Sequence, residues 1–254
     1  MDIPGDGPPL VWIHGWQCTS TGELLPAAVQ PPLRGRRSIL VDLLGHGYSD
    51  KPTAFSYTLV DHARTVVDLI QGLEIRECGL VGHSMGGEIG VRVAAALPDV
   101  VTLLVMAEGS LDPDGEEVLD GQTEDEFVRA GLAALLDAMR EDALSNPTGI
   151  PAVHLGLTGG IEPRAIHREA VSMRDGHDPS ARSLLTQLAA ERWYLWGEES
   201  DPEPDFDRGL EEIGVRVARV PGAGHPMGLQ NPEGFAEVIA GIVDARWGAA
   251  PAMS

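Results

Sequence analysis

The stretch LVGHSMGGEIGV, residues 80–91, joins a strand-like apolar run to a helix-like one through Gly-His-Ser-Met-Gly. Gly82-x-Ser84-x-Gly86 between a strand and a helix is the context a G-x-S-x-G nucleophile turn requires. Its glycines let the backbone bend without Cβ clashes. The bend holds Ser84 above the end of a sheet. The helix beginning near Gly86 aims free N–H groups and the positive end of its dipole at the same place. A serine hydroxyl alone is a poor nucleophile, so the reading demands a base and an oxyanion site elsewhere in the chain.

Working outward, short apolar runs alternate with helical patterns. LVWIH (10–14), SILVDL (38–43), CGLVGH (78–83), VTLLVMA (101–107), RWYLW (192–196) and VRVARV (215–220) read as strands covered on both faces. Residues 58–73, 86–98 and 232–247 read as helices, the last entered through Asn231 as N-cap and Pro232 at the first helical position. The alternation predicts an α/β fold, a mostly parallel sheet flanked by helices. Between about Ser110 and Ala190 no strand is evident. Helices are expected at 123–144, 162–173 and 179–191, a helical insertion over the C-terminal edge of the sheet, where such sheets bind ligands. The division is therefore a core of 1–110 and 191–254 with a cap of 111–190.

The base is His225, in the Gly-rich loop VPGAGHPMG before the last helix. His14 and His83 flank the site and suit structural hydrogen bonds. His62, His167 and His177 read as surface or helix-face residues, and His154 in the cap is a candidate substrate-binding residue. One oxyanion donor is the N–H of Met85, the residue after the nucleophile. The second is expected from the His14-Gly15-Trp16 loop, with Trp16 N–H as the donor.

HGW after a strand, VDLLGHGYSD, LVGHSMGG and PGAGHPMGLQNPE, in this order, resemble the α/β-hydrolase fold superfamily over roughly residues 8–110 and 190–247. The resemblance implies that 42–50 is a structural loop with Asp42 as its turn-stabilising carboxylate. It also implies a two-stranded N-terminal hairpin. Only about nine residues precede LVWIH, so that hairpin is missing or reduced to Asp2-Ile3-Pro4, leaving about six strands.

The triad acid should fall between serine and histidine in chain order. The resemblance most often places it after the WYLWG strand, in a Gly-x-x-Asp arrangement. Here Ser200 holds that position and Asp201 follows. The other candidate is Glu108 in LLVMAEGSLDP, 24 residues after Ser84. A subset of the superfamily, zearalenone-type lactonases among them, resembles this arrangement. A carboxylate at the end of VTLLVMA is also costly to bury without a partner. Glu108 is the preferred acid and Asp201 its rival.

The expected reaction is acyl transfer to water on a carboxylic ester or lactone, with no metal or organic cofactor. Thioesterase or carbon–carbon bond hydrolysis by the same triad is the alternative within enzymes, and a catalytically weak ligand receptor the alternative outside them. A dehalogenase or epoxide hydrolase of this fold needs an aspartate where Ser84 stands. Phe127 is the sole aromatic residue of the cap, which predicts an aliphatic pocket for a small uncharged substrate. The net charge of -21 speaks against nucleic acid, anionic membranes and anionic substrates. Eight carboxylates between Asp112 and Glu126 read as a solvated surface segment. Cys18 and Cys78 read as free thiols, and MDIPGDGPPL lacks the charge and apolar run of a secretory signal, so the expectation is a cytoplasmic protein.

Overall fold

Seven strands form one sheet: β1 (Asp2–Ile3), β2 (Asp6–Ile13), β3 (Arg36–Val41), β4 (Cys78–His83), β5 (Val101–Ala107), β6 (Glu191–Gly197) and β7 (Arg216–Val220). Their order is β1-β3-β2-β4-β5-β6-β7. The computed structural model describes residues 1–113, 119, 121–145, 150–202 and 205–249. The six expected strands are all present and run parallel. The seventh is the two-residue β1, which pairs antiparallel with β3 through Asp2–Ile39 and Ile3–Ser38. The N-terminal segment thus contributes one short edge strand in place of a hairpin. β2 also starts earlier than its apolar run. Its register against β3 shifts between Asp6 and Leu10, where Pro8 and Pro9 have no N–H to give to a ladder.

Helices α1 (Leu25–Ala28), α2 (Leu59–Gly72) and α3 (Met85–Ala96) precede β5. Between β5 and β6 lie α4 (Glu124–Glu126), α5 (Leu132–Ser145), α6 (Ile150–Thr158), α7 (Pro163–Asp175) and α8 (Ala181–Leu185). Helices α9 (Phe206–Glu212), α10 (Met227–Gln230) and α11 (Pro232–Trp247) complete the fold. The sheet has a core on each face. Ile13, Leu80 and Leu104 pack with Val66 and Ile89 of α2 and α3. Trp12, Val81 and Val105 pack with Ala27 of α1 and Phe235 and Ile239 of α11. α2 begins where the Thr58 side chain accepts from Asp61 N. α11 begins at Asn231, whose side chain accepts from Gly234 N as its sequence position implies.

The inserted helices lie against the loops that leave β2 and β3. Trp16 Nε1 donates to Ile166 O (3.1 Å), Glu162 N to Gly45 O (2.8 Å) and Thr158 Oγ1 to Gln17 O (3.2 Å). α6 falls in a Gly- and Pro-bounded stretch that carries no clear periodic signal. The helix expected over 179–191 is only the short α8, since the chain turns and enters β6 at Glu191. Of the acidic run, residues 114–118 and 120 lie outside the described residues. Elsewhere in it, Asp112 pairs with Arg182 (2.5 Å) and Glu124 with Arg168 (2.6 Å), so these two carboxylates are neutralised rather than merely solvated.

Of the histidines read as surface or helix-face residues, His62 and His167 lie on helices α2 and α7 and face inward, His62 fully buried and His167 nearly so. His62 shares the buried stripe of α2 with Leu59, Ala63 and Val66. Its Nε2 lies 2.9 Å from Glu169 Oε1 on α7, and His46 Nε2 lies 2.8 Å from the same oxygen. His46 Nδ1 faces Cys18 O at 2.9 Å. Both nitrogens of His46 therefore meet acceptors, which requires the imidazolium. Burial pushes the Glu169 carboxyl up, but the His46 charge and the hydrogen bonds from both histidines bring it down to about 2. Burial likewise lowers His46, but Glu169 outweighs it and the net shift is upward. A lowered carboxyl stabilises the fold above its ordinary value, and that stability is lost as pH falls toward 2. The raised His46 contributes below its ordinary value and loses that contribution as pH rises through the raised one. Glu169→Ala should cost about 3–5 kcal/mol in urea unfolding at neutral pH, since it strands a buried imidazolium. Between pH ~5 and ~2 the variant should lose less further stability than the wild type.

Candidate active site

Ser84 sits between the last residue of β4 and the first of α3, with φ 50° and ψ −120°. This strained conformation is held by close packing. A Cβ on Gly82 would stand 2.3 Å from Gly86 O, and one on Gly86 2.3 Å from Ile13 O. The Ser84 main chain is fully engaged: its N–H donates to Ala107 O (3.0 Å), and its O accepts from Gly87 N (2.8 Å) and Ser110 N (3.1 Å). Its side chain makes no helix-capping hydrogen bond. The hydroxyl does no structural task that the described residues reveal.

Glu108, the residue after β5, is also left-handed, with φ 44°. Its N–H continues the ladder to Leu195 O (2.9 Å), while its side chain crosses above β6. Oε2 lies 2.8 Å from His225 Nδ1, and Oε1 accepts from Gly197 N (2.8 Å) and Ser200 Oγ (2.6 Å). Burial pushes this carboxyl up, but the bonds from His225, Ser200 and Gly197 outweigh it and hold it below the ordinary carboxylate range. An ionised Glu108 keeps the His225 proton on Nδ1 and leaves Nε2 as a free acceptor. The Glu108 side chain is 7% exposed and that of His225 53%. Asp201 is exposed, with no hydrogen bond or ion pair among the described residues. The position the Gly-x-x-Asp arrangement would give to an acid is held by Ser200, whose hydroxyl supports Glu108 instead.

The loop after β2 is clamped through Gly15. His14 Nε2 accepts from Leu43 N (3.1 Å), so its proton is on Nδ1, which donates to Gly15 O (2.7 Å). Burial and the nearby His46 charge push the His14 imidazole down to about 4, so it stays neutral. A trans peptide is planar. Holding Gly15 O on one side therefore aims Trp16 N–H to the other. Met85 N–H opens α3 and has no acceptor within the helix. The Trp16 ring, bonded to Ile166 O, packs against the main core and the Tyr57 cluster.

Two further groups complete the surroundings. Glu23, fully buried in the π turn Ser20–Leu24, was not marked by any motif. Its only sequence trace is a lone acid beside LLPAA. Oε2 accepts from Gly15 N (3.0 Å), and Oε1 lies 2.8 Å from His83 Nδ1 as an ion pair, outside hydrogen-bonding angles. His154, on α6, is partly buried. Its Nε2 is enclosed and has no partner among the described residues. Burial lowers its affinity for a proton, and the nearby Glu23 carboxylate offsets that only in part. Ligand atoms of Cys18, Glu23 and His154 lie within 4.8 Å of one another. They fit a metal poorly, because both Glu23 oxygens are engaged and burial pushes the Cys18 thiol well above its ordinary value.

The protein-family comparison matches the α/β hydrolase fold over residues 8–150. An uncharacterized protein of Mycobacterium tuberculosis is 32% identical over 189 residues, which are 73% of this chain and 50% of that protein. A haloalkane dehalogenase of Mycobacterium marinum is 40% identical over 111 residues, 42% of this chain and 36% of the dehalogenase. The chain thus spans about half or less of the length of these curated relatives. Among solved structures, an esterase from Thermogutta terrifontis superposes with a TM-score of 0.78 at 20% identity, covering 96% of this chain and 92% of the esterase. The enol-lactonase from Burkholderia xenovorans LB400 does so with 0.77 at 19%, covering 94% and 92%. At such identities the likeness is one of fold. Together with the strand order and the turn at Ser84, the family match over more than half of the residues makes this chain a member of the α/β hydrolase fold family.

Proposed function

We propose that the chain is a serine hydrolase that cleaves a carboxylic ester or lactone through an acyl-enzyme on Ser84. The observation that carries the reading is the 2.8 Å contact of Glu108 Oε2 with His225 Nδ1, in a fold whose strained turn presents an unengaged serine hydroxyl. In this reading Ser84 Oγ attacks the carbonyl carbon while His225 Nε2 takes its proton. Glu108 stabilises the imidazolium, and the N–H groups of Trp16 and Met85 receive the oxyanion. The tetrahedral adduct collapses as His225 returns the proton to the leaving alkoxide. Water, deprotonated by His225, then attacks the acyl-enzyme, and the adduct collapses to the acid as His225 returns that proton to Ser84 Oγ. A lactone follows the same steps, its leaving alcohol staying on the product.

The mycobacterial dehalogenase resemblance does not extend to its chemistry here. Displacing a halide from carbon needs a carboxylate whose ester water can later cleave, and Ser84 would form an inert ether. Residues 111–190 act as the cap, and its Leu, Ala, Val and Ile side chains suit an aliphatic, uncharged acyl or alcohol group of small to medium size. The unpartnered His154 is the group we assign to substrate hydrogen bonding. Both cysteines are free and buried, in keeping with a cytoplasmic enzyme. Among the described residues no helix is long and apolar enough to cross a membrane.

The test is a fluorophosphonate probe combined with a panel of nitrophenyl esters and aliphatic lactones. Labelling at Ser84 together with saturable turnover is the expected result. Tight ligand binding with neither labelling nor turnover would instead identify a receptor and overturn the assignment.

A further inference from the structure

Three loops meet at the site: the one carrying Trp16, the turn at Ser84, and the one carrying His225. Each is irregular backbone, and their relative placement needs a common anchor. We propose that Glu23 is that anchor, a positioning residue whose single carboxylate sets the Gly15–Trp16 loop directly and the His225 loop through His83. The inference rests on the roles given above to Ser84, His225 and the oxyanion donors.

The geometry is a chain of close contacts. Glu23 Oε2 accepts from Gly15 N at 3.0 Å, and Oε1 pairs with His83 Nδ1 at 2.8 Å. On the far side of the ring, His83 Nε2 meets His225 O at 2.8 Å. Nε2 of His83 meets a carbonyl and therefore carries a proton, while Nδ1 stands against the ionised Glu23 at ion-pair distance, which favours the imidazolium. Glu23 is the carboxylate in contact with that ring, and the pair is almost wholly enclosed, with side chains 5% and 1% exposed. Gly15 passes close to the ring: a Cβ there would stand 2.9 Å from His83 Nδ1, so no larger residue fits at this position without a shift. Glu23 is itself fixed by the π turn, which Thr19 opens by accepting from Gly22 N at 2.9 Å. The direction of each titration agrees. Burial pushes the Glu23 carboxyl up, but the His83 charge, its contact and the Gly15 N–H bring it down to about 2. Burial pushes His83 down, but Glu23 and the His225 carbonyl carry it above its ordinary value.

Two imidazole–carboxylate pairs therefore stand side by side, with the His83 and His225 rings 4.7 Å apart. The Glu108 pair handles the proton. The Glu23 pair holds the donors and the base at their stations, and loss of its charge frees both loops together. Misplacing reacting groups by about 1 Å costs on the order of 10²-fold in rate.

Glu23→Gln tests this, because the amide is isosteric and can still accept from Gly15 N. With concentrations set by fluorophosphonate titration of competent sites, kcat should fall about 10- to 100-fold while KM changes by less than about threefold. The Ki of a boronic acid mimic of the tetrahedral adduct should rise by about the same factor as kcat/KM falls. A merely structural role would lower the titrated fraction and leave that Ki unchanged. His83→Gln, which can still donate to His225 O, should show the same kcat-selective loss. In ¹⁵N spectra the His83 ring of the wild type should titrate above that of Glu23→Gln. A His83 titration that Glu23→Gln leaves unmoved, or a Glu23→Gln enzyme with unaltered kcat and Ki, overturns the inference alone. A wild type that neither labels nor turns over overturns the hydrolase reading and this one with it.

Discussion

Glu108→Gln is expected to lower kcat by about 10³–10⁴-fold, whereas Asp201→Asn should leave it within about tenfold. The amide introduced by Glu108→Gln would retain an oxygen for Gly197 N and Ser200 Oγ, so the loop after β6 keeps its support and the fold should persist. What changes is the face toward His225. An NH₂ group beside Nδ1 forces the ring to accept there and to carry its proton on Nε2, where the base must be empty. In the proposed mechanism the imidazolium formed during acylation also loses its counter-charge. Asp201 is exposed and touches none of these groups, so its neutralisation removes only a surface charge. Steady-state kinetics on the best ester of the panel decides the matter. The opposite pattern, with Asp201→Asn inactive and Glu108→Gln competent, would remove Glu108 from the mechanism.

Ser84→Ala should be the most damaging single change, lowering kcat by about 10⁶-fold and abolishing fluorophosphonate labelling. The residual rate should still exceed that of water by about 10³-fold, because the N–H groups proposed as oxyanion donors remain. This loss should come with almost no change in stability. The hydroxyl makes no cap to α3, and the turn is held by the packing of Gly82 and Gly86 rather than by the side chain. Ser84→Gly should go further and gain about 1 kcal/mol in thermal or urea unfolding, since glycine relieves the strained φ of 50°. A stable, folded, inactive protein is the expected signature. A Ser84→Ala variant that kept its turnover would end the nucleophile assignment.

The sequence made the candidate residues of this site more legible than their supports. Ser84, Glu108 and His225 each lie in a short local pattern, a strand end followed by Gly-rich chain, whose meaning does not depend on distant partners. The six long strands were legible for the same reason, as apolar runs of the right length. The two-residue β1 was legible only as one of two alternatives, a remnant at Asp2-Ile3-Pro4 or no strand at all, because it is defined by its pairing with β3 and not by its composition. Glu23 and Glu169 escaped because their meaning lies in partners remote in the chain, His83 for one and His46 with His62 for the other. His62 is instructive. Its spacing from Leu59 and Val66 put it on the apolar stripe of α2, yet its polarity invited a surface reading. Its burial is tolerated only because Glu169, 107 residues away, arrives on α7. The short α8 shows the converse, a helical pattern cut off by the strand that follows it.

The reach of Glu108 from the end of β5 has a consequence for how this scaffold tolerates change. In the usual arrangement the chain leaving β6 must keep a fixed length, since one of its carboxylates is bonded to the histidine. In the proposed mechanism that segment, among the described residues, bonds to Glu108 through the Gly197 N–H and the Ser200 hydroxyl, both before Asp201. Asp201 itself is exposed and bonded to neither Glu108 nor His225. Residues added after Asp201 should be accepted with little loss of rate, which makes this the natural place to graft a reporter tag or a binding epitope.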